Sequence, residues 1–486
     1  MRQMASFADR FKVRTHCNIL SEEDKRKIHD AALGVMATTG VRIHSKTARA
    51  ALKRAGAEVD DTRAVVKFPR NVTESLMKTI PRTFVLAGRE KEFDLPVDGT
   101  HGYITTDGCG ISVWDSKTMT KRKSVLEDIR KTAILSDWLP YVSIYEPMVV
   151  AHDVPQKTHV VTGVKVSMEN TSKHILSEST STPEEARAQI KMASAVLGSG
   201  EELRKRHYLS AMVCTVSPLT LEGPTTEAGM VWAENHVPVH IVGMAQAGMN
   251  APATLAGDLV VNHGETLALA CAMQAHEPGA PLLYGSVLSV MDPRTGSYNG
   301  GSPESIMLCC SAIEMATYCK IPNAAGGFGS SAKVPGVQAS VENSMSSMMA
   351  MMVGGEILNG VGVPDGSVLL SYEQIMIDHE IAGMALRSLS GVRVDSEALA
   401  VDLINRMGIG GHYLGQKHTL THVKEYYDQM LWKGETFDSL VKKSGMDSLQ
   451  EAGEKAESII KTHKPKPLSP STIATLEKIV KELSQG

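Results

Sequence analysis

Three histidines near the C-terminus are the residues whose type and spacing first suggest metal chemistry. His412, His418 and His422 lie within the stretch GIGGHYLGQKHTLTHVKEYY, and imidazole is a ligand that zinc prefers. His418 and His422 are four residues apart and would share one helix face, but Thr419 stands where a His-Glu-x-x-His zinc motif needs Glu. His412 would have to reach across a glycine-rich turn. We therefore expect helix caps and hydrogen-bonded imidazoles here, and we predict no metal in this chain.

The composition excludes several classes of function. The chain has 486 residues, 42% hydrophobic residues and a formal net charge of −4, with no basic excess for binding nucleic acid. We find no run of the roughly 20 apolar residues that span a membrane, and the charged N-terminus does not resemble a signal peptide. The seven cysteines form no C-x-x-C pair and are interpreted as reduced thiols. These features predict a cytoplasmic location.

The order of predicted elements indicates the fold. A Ser-x-x-Asp capping signal at Ser21 opens a helical pattern, which predicts an N-terminal helical segment over residues 1–100 packed on the next domain. Apolar strand-like runs then alternate with helix-length segments; they lie near residue 104 and at 142–147, 173–179, 207–214, 237–244, 281–289, 322–331 and 355–363. Eight such units predict a (β/α)8 barrel, of class α/β, over residues 101–375. A C-terminal helical extension would cover residues 376–486 and clasp the barrel.

An open, doubly wound sheet is the alternative architecture. It has less support, because no G-x-G-x-x-G motif follows the first strand. The glycine-rich GFGSSAKVPG also lacks the Gly-Lys-Ser/Thr ending of a phosphate-binding loop. The barrel is therefore the predicted fold.

The active site of such a barrel lies where its strands end and the following loops begin. This rule selects polar and aromatic candidates at the strand ends: Asp107, Tyr145, Glu146, Ser177, Glu178, Cys214, Met244, Gln246, Ser286, Phe328, Ser330, Ser331, Tyr372 and Glu373. The set is rich in carboxylates and poor in cations, the exceptions nearby being Arg294 and Lys333. Such a composition suits a positively charged ligand. Structural interpretations stay open, since acidic residues cap helices, Tyr145 and Tyr284 could fill a barrel, and Cys214 could be a core residue.

Four motifs resemble the trimethylamine methyltransferase family in type and order. They are YGSVLSVMDPRTGSYNGGSPES, GGFGSSAKVPGVQ, SYEQIMIDHEIAGMALR and GIGGHYLGQKHTLTH, and the likeness extends over essentially the whole chain. The resemblance implies a (β/α)8 barrel that moves a methyl group from an amine to the cobalt of a corrinoid (cobalamin) carried by a partner protein. The histidine-rich stretch would then be a family signature outside the barrel.

One departure from the family pattern bears on the substrate. Family members that act on trimethylamine in archaea carry pyrrolysine in the loop after the seventh strand, which we place near residues 333–338 and which holds only standard residues here. Members without pyrrolysine resemble demethylases of quaternary amines such as glycine betaine, which would become dimethylglycine. A quaternary nitrogen already carries its charge and departs as a neutral amine, so no acid is needed. The resemblance therefore implies a quaternary amine, with glycine betaine as the leading candidate.

The resemblance also implies roles for the strand-end residues. Aromatic faces attract quaternary ammonium by about 0.5 to 2 kcal/mol each, and we expect a cage drawn from Tyr103, Tyr145, Tyr284, Phe328 and Tyr372. Asp107, Glu146 and Glu178 would form the catalytic set by balancing the substrate charge. A betaine carboxylate would be held near Ser286, Ser330 and Lys333, or by Arg294 and backbone N–H groups. The enzyme would be a homo-oligomer.

Other functions remain open at this point. The same barrel could demethylate carnitine, proline betaine, choline or γ-butyrobetaine, which share the trimethylammonium head or differ from it in one substituent. A zinc-dependent corrinoid methyltransferase would use His412, His418 and His422. A catalytically silent barrel would bind betaine or a corrinoid without turnover.

Overall fold

The computed structural model shows a closed barrel of eight parallel strands, as predicted. The structure describes residues 6–178, 181–432 and 448–485. The barrel strands are β1 (Tyr103–Thr106), β2 (Ile144–Tyr145), β3 (His174–Ser177), β4 (Leu209–Cys214), β5 (Val239–Gly243), β6 (Leu282–Ser286), β7 (Asn323–Gly326) and β8 (Ile357–Val361). They pair in chain order, and β8 closes on β1 with Ile357 opposite Tyr103.

Each strand is followed by a helix that covers it. These helices are α1 (Leu126–Trp138), α2 (His159–Asn170), α3 (Pro183–Leu197), α4 (Gly223–Glu234), α5 (Leu255–His276), α6 (Pro303–Tyr318), α7 (Val337–Met352) and α8 (Tyr372–Leu389). Local sequence explains their ends. In α3, Thr182 and Glu185 form a capping box at the start, and Gly198 ends the helix in the left-handed conformation. The alternation of strand and helix is thus encoded locally.

The N-terminal segment contains a small sheet as well as helices. Its helices are Ala8–Phe11, Glu22–Thr38, Lys46–Arg54, Arg70–Met77 and Lys91–Phe93, and its strands are Val41–Ile43, Glu58–Asp60, Val65–Lys67, Phe84–Leu86 and Leu95–Val97. The Ser21 side chain accepts from the Asp24 N–H, which confirms the predicted cap. Strand Val41–Ile43 pairs with Thr220–Leu221 of the barrel domain. The prediction of a helical segment therefore missed these strands.

Short strands also shape the loops at the mouth of the barrel, where the strands end. Ser112–Asp115 and Thr120–Lys123 form a hairpin after β1, and Leu369–Leu370 pairs with it. Gln246–Ala247, Ser289–Met291 and Tyr298–Asn299 form a second small sheet over β5 and β6. These additions give the loops defined shapes around the mouth.

The chain after β8 is helical, but the barrel extends further than predicted. The predicted boundary at residue 375 cuts through α8, which is the eighth barrel helix. Beyond it lie Ser396–Leu399, Val401–Met407, Lys417–His422, Val423–Glu425, Ser448–Thr462 and Pro470–Gln485. The Pro-rich stretch at 464–470 connects the last two helices, and Lys466 in it pairs with Glu90. No helix among the described residues is long and apolar enough to cross a membrane.

Candidate functional site

Three carboxylates meet at the mouth of the barrel. Asp107, Glu146 and Glu178 each follow the end of one of three neighbouring strands, β1, β2 and β3. Gly108 lies between them, because a Cβ at this position would come within 2.6 Å of both Glu146 Oε1 and Glu178 Cγ. The three carboxylates predicted from the sequence are therefore brought together.

Strand β1 holds the backbone of Glu146 in place. The Thr106 hydroxyl donates to the Glu146 carbonyl at 2.8 Å and accepts from the Glu146 N–H at 2.7 Å. These two bonds join the ends of β1 and β2 where the strands diverge. Only 1% of the surface of Glu146 is exposed, and its Oε2 atom has no hydrogen-bond partner among the described residues. Such an atom is expected to have a partner when a ligand fills the site.

Asp107 is held by its own loop and by the loop after β8. Its Oδ1 accepts from the Cys109 N–H at 3.2 Å, and its side chain also hydrogen-bonds Ser367. Ser367 has φ of 69° and Asp365 has φ of 59°, which are uncommon for residues other than glycine. Strained turns of this kind occur where the surrounding structure must aim a functional group. Here the turn brings the Ser367 side chain to Asp107.

Burial and mutual repulsion keep these carboxyl groups protonated to a higher pH than usual. Burial, followed by the charges of Asp107 and Glu178, raises the pKa of Glu146 well above its ordinary value. Burial and then Asp107 raise the pKa of Glu178 to about 8. Burial also raises the pKa of Asp107, although hydrogen bonds from Ser367 and Cys109 oppose part of this effect. A positive charge beside these groups would lower their pKa values again, because it favours the ionised carboxylates.

Tyr298 and Cys109 belong to the mouth but were not among the predicted site residues. Burial of its hydroxyl raises the pKa of Tyr298, and the charges of Cys309, Asp107 and Cys109 raise it further, so the hydroxyl lies within electrostatic range of Asp107. Asp107 is also the largest cause of the raised pKa of the Cys109 thiol. Tyr298 keeps 37% of its surface exposed. Its position in the glycine-rich loop after β6, in a chain with few aromatics, was the available signal.

Two of the five predicted cage aromatics point away from the mouth. Tyr103 lies at the start of β1, where its hydroxyl donates to the Pro96 carbonyl at 2.8 Å and its ring stacks on His101. Tyr145 ends β2, but its hydroxyl donates to the Ile129 carbonyl of α1 at 2.9 Å. Neighbouring residues of a strand point to opposite faces, so Tyr145 faces α1 while Glu146 faces the mouth. The structure corrects the mouth position expected for both tyrosines.

The other three cage candidates are also engaged elsewhere. The Tyr284 hydroxyl bonds His263 of α5 at 2.9 Å, so this ring lies outside β6. The Tyr372 hydroxyl donates to Asp128 of α1 at 2.9 Å. Phe328 does lie in the loop after β7, but it is 1% exposed and packs against Gly360. The five aromatics do not form the expected cage.

Three of the four side chains expected to hold a substrate carboxylate have partners within the protein, and the fourth is buried. Ser330 donates to Glu342 at 2.8 Å, and Lys333 Nζ donates to Asp365 at 2.7 Å on the rim of the mouth. Arg294 pairs with Asp292, and Ser286 is buried at the end of β6. The structure therefore brings none of these four side chains to the carboxylate cluster through a described contact.

The C-terminal histidines lie on an exposed segment outside the barrel. His418 and His422 share a helix face, with ring centroids 4.2 Å apart. His418 bonds the Glu397 carbonyl, and His422 bonds Glu425 at 3.0 Å. His418 and His422 therefore form hydrogen bonds, on the surface of the protein and not in its interior. Among the described residues, the group of three with metal-binding geometry is His29, His263 and Cys319 instead.

Comparisons with known proteins agree with the fold and the order of motifs. Residues 3–485 match the family model for trimethylamine methyltransferase. Trimethylamine methyltransferase of Desulfitobacterium hafniense is 30% identical over 462 residues, covering 95% of this chain and 93% of that protein. Glycine betaine methyltransferase of the same species is 28% identical over 466 residues, covering 95% and 96%.

A solved structure supports the barrel fold independently. The monomethylamine methyltransferase of Methanosarcina barkeri covers 99% of this chain and 97% of its own, with a TM-score of 0.50 and 15% identity. At this identity the likeness shows the fold alone. Taken with the match over nearly the whole sequence, these findings show that the chain is a methyltransferase and belongs to the trimethylamine methyltransferase family.

Proposed function

We propose that this chain demethylates a small quaternary amine, with glycine betaine as the leading candidate, and passes the methyl group to Co(I) of a corrinoid protein. The observation that carries the proposal is the cluster of Asp107, Glu146 and Glu178 around Gly108 at the barrel mouth. The charges that shift the pKa of Glu146 are both negative. A buried cluster of this kind favours a cation, because the attraction of the carboxylates is strengthened in low-dielectric surroundings.

The raised pKa values of the cluster suit the chemistry of a quaternary amine. The positive charge leaves the substrate as the methyl group departs, so a grip that is too strong would stabilise the ground state and slow the reaction. Raised pKa values at Glu146 and Glu178 limit the negative charge of the empty site. The carboxylates would orient the ammonium head, and none needs to act as a nucleophile.

Tyr298 is the aromatic residue best placed to contact the ammonium group. The charge of Asp107 acts on its hydroxyl, and its ring lies against Gly300 and Gly366, which carry no side chain. Cation–π attraction would supplement the carboxylates without adding charge. Tyr298 therefore replaces the predicted five-residue cage in the proposed site.

The rim of the mouth fits the docking of a partner protein. Exposed apolar side chains lie on the loops that follow the strands: Ile111, Val216, Met244, Met249 and Val334. Apolar patches with polar surroundings are typical of protein interfaces. When docked, the corrinoid would supply the nucleophilic Co(I) that receives the methyl group. The contribution of this chain would be to bind the amine, orient one methyl group outward and exclude water.

An anaerobic assay with chemically reduced cob(I)alamin tests the proposal. We expect methylcobalamin to form with glycine betaine and not with trimethylamine, as followed in the visible spectrum. Glu146→Gln should reduce the rate, whereas Glu304→Gln, an exposed first-turn residue of α6, should not. Activity with trimethylamine alone would contradict the substrate, and binding without methyl transfer to cob(I)alamin or to the native corrinoid protein would contradict the activity.

A further inference from the structure

Three ligand-type side chains meet on the outside of the barrel. His29 comes from the N-terminal helix Glu22–Thr38, His263 from the middle of α5, and Cys319 caps the end of α6. One nitrogen or sulfur atom of each lies within 4.8 Å of the others. The three elements are far apart in sequence, so the fold alone assembles this group.

The interatomic distances are close to those of a tetrahedral metal site. His29 Nδ1 lies 2.9 Å from His263 Nε2, and Cys319 Sγ lies 3.7 Å and 3.9 Å from these two nitrogens. Typical zinc–nitrogen and zinc–sulfur bond lengths give edges of about 3.3 Å between nitrogens and about 3.5 Å between nitrogen and sulfur. Each observed distance differs from these values by about 0.4 Å or less. Small side-chain movements would complete the geometry.

The hydroxyl of Tyr284 orients His263 to act as a metal ligand. Tyr284 OH lies 2.9 Å from His263 Nδ1, the ring nitrogen that would not bind metal, and can accept its proton. Such an outer hydrogen bond fixes the tautomer that directs the Nε2 lone pair to the metal. The Cys319 thiol would lose its proton on binding, since thiolate is the form that ligates zinc.

We propose that His29, His263 and Cys319 bind a zinc ion that fastens the N-terminal helix to α5 and α6. Imidazole and thiolate together favour zinc over magnesium or calcium, which prefer oxygen ligands. Water would complete the coordination, since His29 and Cys319 are only partly buried. Tyr284 projects outward from β6, so the site lies outside the barrel and away from the carboxylate cluster. Its role is structural, and the inference is independent of the proposed function.

The proposal departs from the prediction of no metal, which rested on His412, His418 and His422. His418 and His422 form hydrogen bonds on the surface segment. The residues proposed here are separated by 234 and 56 positions along the chain. Their spacing along the sequence could not reveal that these three residues meet.

Zinc titration of the full-length, metal-stripped protein tests the site. We expect one equivalent to bind in competition with a chromophoric chelator and to raise the melting temperature, because the ion binds only the folded chain. Cobalt(II) as a probe should show thiolate charge-transfer absorption. Tyr284→Phe, which removes the hydrogen bond to His263, should weaken zinc binding by about 10- to 100-fold. His29→Gln and Cys319→Ser each remove a ligand and should weaken it further.

Matched controls separate ligand loss from misfolding. Cys17→Ser alters another partly buried cysteine of the described chain and should leave zinc affinity and the cobalt spectrum unchanged. Circular dichroism would show that His29→Gln still folds. Absence of stoichiometric zinc binding by the unaltered protein would overturn the proposal. So would unchanged affinity in both ligand variants.

Discussion

Gly108 leaves the space that the Glu146 carboxylate occupies, since a Cβ at position 108 would lie 2.6 Å from Glu146 Oε1. The same Cβ would lie 2.6 Å from Glu178 Cγ. A larger residue here would therefore force these side chains to shift, because two acidic side chains from neighbouring strands close over the backbone of the first loop. This relationship defines the geometry of the proposed cation site.

Gly108→Ala should displace both carboxylates without disturbing the barrel. We expect kcat/KM for the quaternary amine to fall by about tenfold to 100-fold, since a displacement of about 1 Å in a positioned group can have this effect. Gly34→Ala is the control, because a Cβ there meets nothing within 4 Å. Steady-state kinetics and thermal melting of both variants provide the measurement. Full activity of Gly108→Ala would refute the assigned geometry.

Binding of the quaternary amine should strengthen as pH rises. The pKa of Glu178 is raised to about 8 by burial and by Asp107, and the charged form attracts the cation, so affinity should increase between about pH 6 and pH 9. Glu178→Gln should flatten this dependence. Calorimetric titration at several pH values measures it, and equal slopes in both proteins would contradict the role of Glu178.

The same pKa shift predicts how stability depends on pH. A carboxyl group with a raised folded-state pKa keeps its proton longer in the folded state than in the unfolded state. The contribution of Glu178 to the free energy of unfolding should therefore be greatest below the ordinary glutamate pKa and should be lost as pH rises to about 8. Glu146 and Asp107 act in the same direction. Urea denaturation of Glu178→Gln should show a smaller decrease than the unaltered protein.

The ring of Tyr298, and not its hydroxyl, should contribute to binding. Tyr298→Leu should weaken quaternary-amine binding by about 2- to 30-fold, which corresponds to a cation–π energy of about 0.5 to 2 kcal/mol, whereas Tyr298→Phe should bind normally. Tyr413→Leu is a matched control, because Tyr413 is similarly exposed at 40% but lies on the C-terminal segment. An equal loss in Leu and Phe variants at position 298 would point to the hydroxyl instead.

Lys333 should have little effect on substrate choice. Both Lys333 and Lys121 pair with Asp365 on the rim, and exposed pairs of this kind contribute only about 0 to 1 kcal/mol. Lys333→Met and Lys121→Met should change KM for glycine betaine and for choline alike, by about fivefold at most. A loss confined to glycine betaine in Lys333→Met would instead assign the substrate carboxylate to Lys333.

The exposed C-terminal segment should mediate self-association. Ile409, Leu414 and Val392 are 110%, 83% and 86% exposed, and apolar surface of this extent is typical of an interface. We expect a homo-oligomer, and the double variant Ile409→Asp, Leu414→Asp should dissociate it. Sedimentation velocity measures the change, and an unaltered sedimentation coefficient would contradict this assignment.

The barrel was predictable from sequence because its signals are local. Each strand-helix unit carries its own apolar run, caps and turn residues, as the capping box at Thr182 and Glu185 shows. The carboxylates were also predictable, since Asp107, Glu146 and Glu178 directly follow strands and all strands of a parallel barrel end at one face. Their positions along the chain were sufficient to predict that these three carboxylates lie close together.

The direction of side chains was decided only by the tertiary structure. Tyr145 and Glu146 are adjacent, yet one contacts α1 and the other lies at the mouth, because strand register sets which face each residue takes. Tyr284 likewise faces His263 of α5. By itself the sequence determined the barrel and the acidic strand ends, through local periodicity and chain order. Packing between distant segments decided the rest, and no local pattern encodes it. It determines that the predicted cage does not form, where Tyr298 lies, and that His29 meets Cys319.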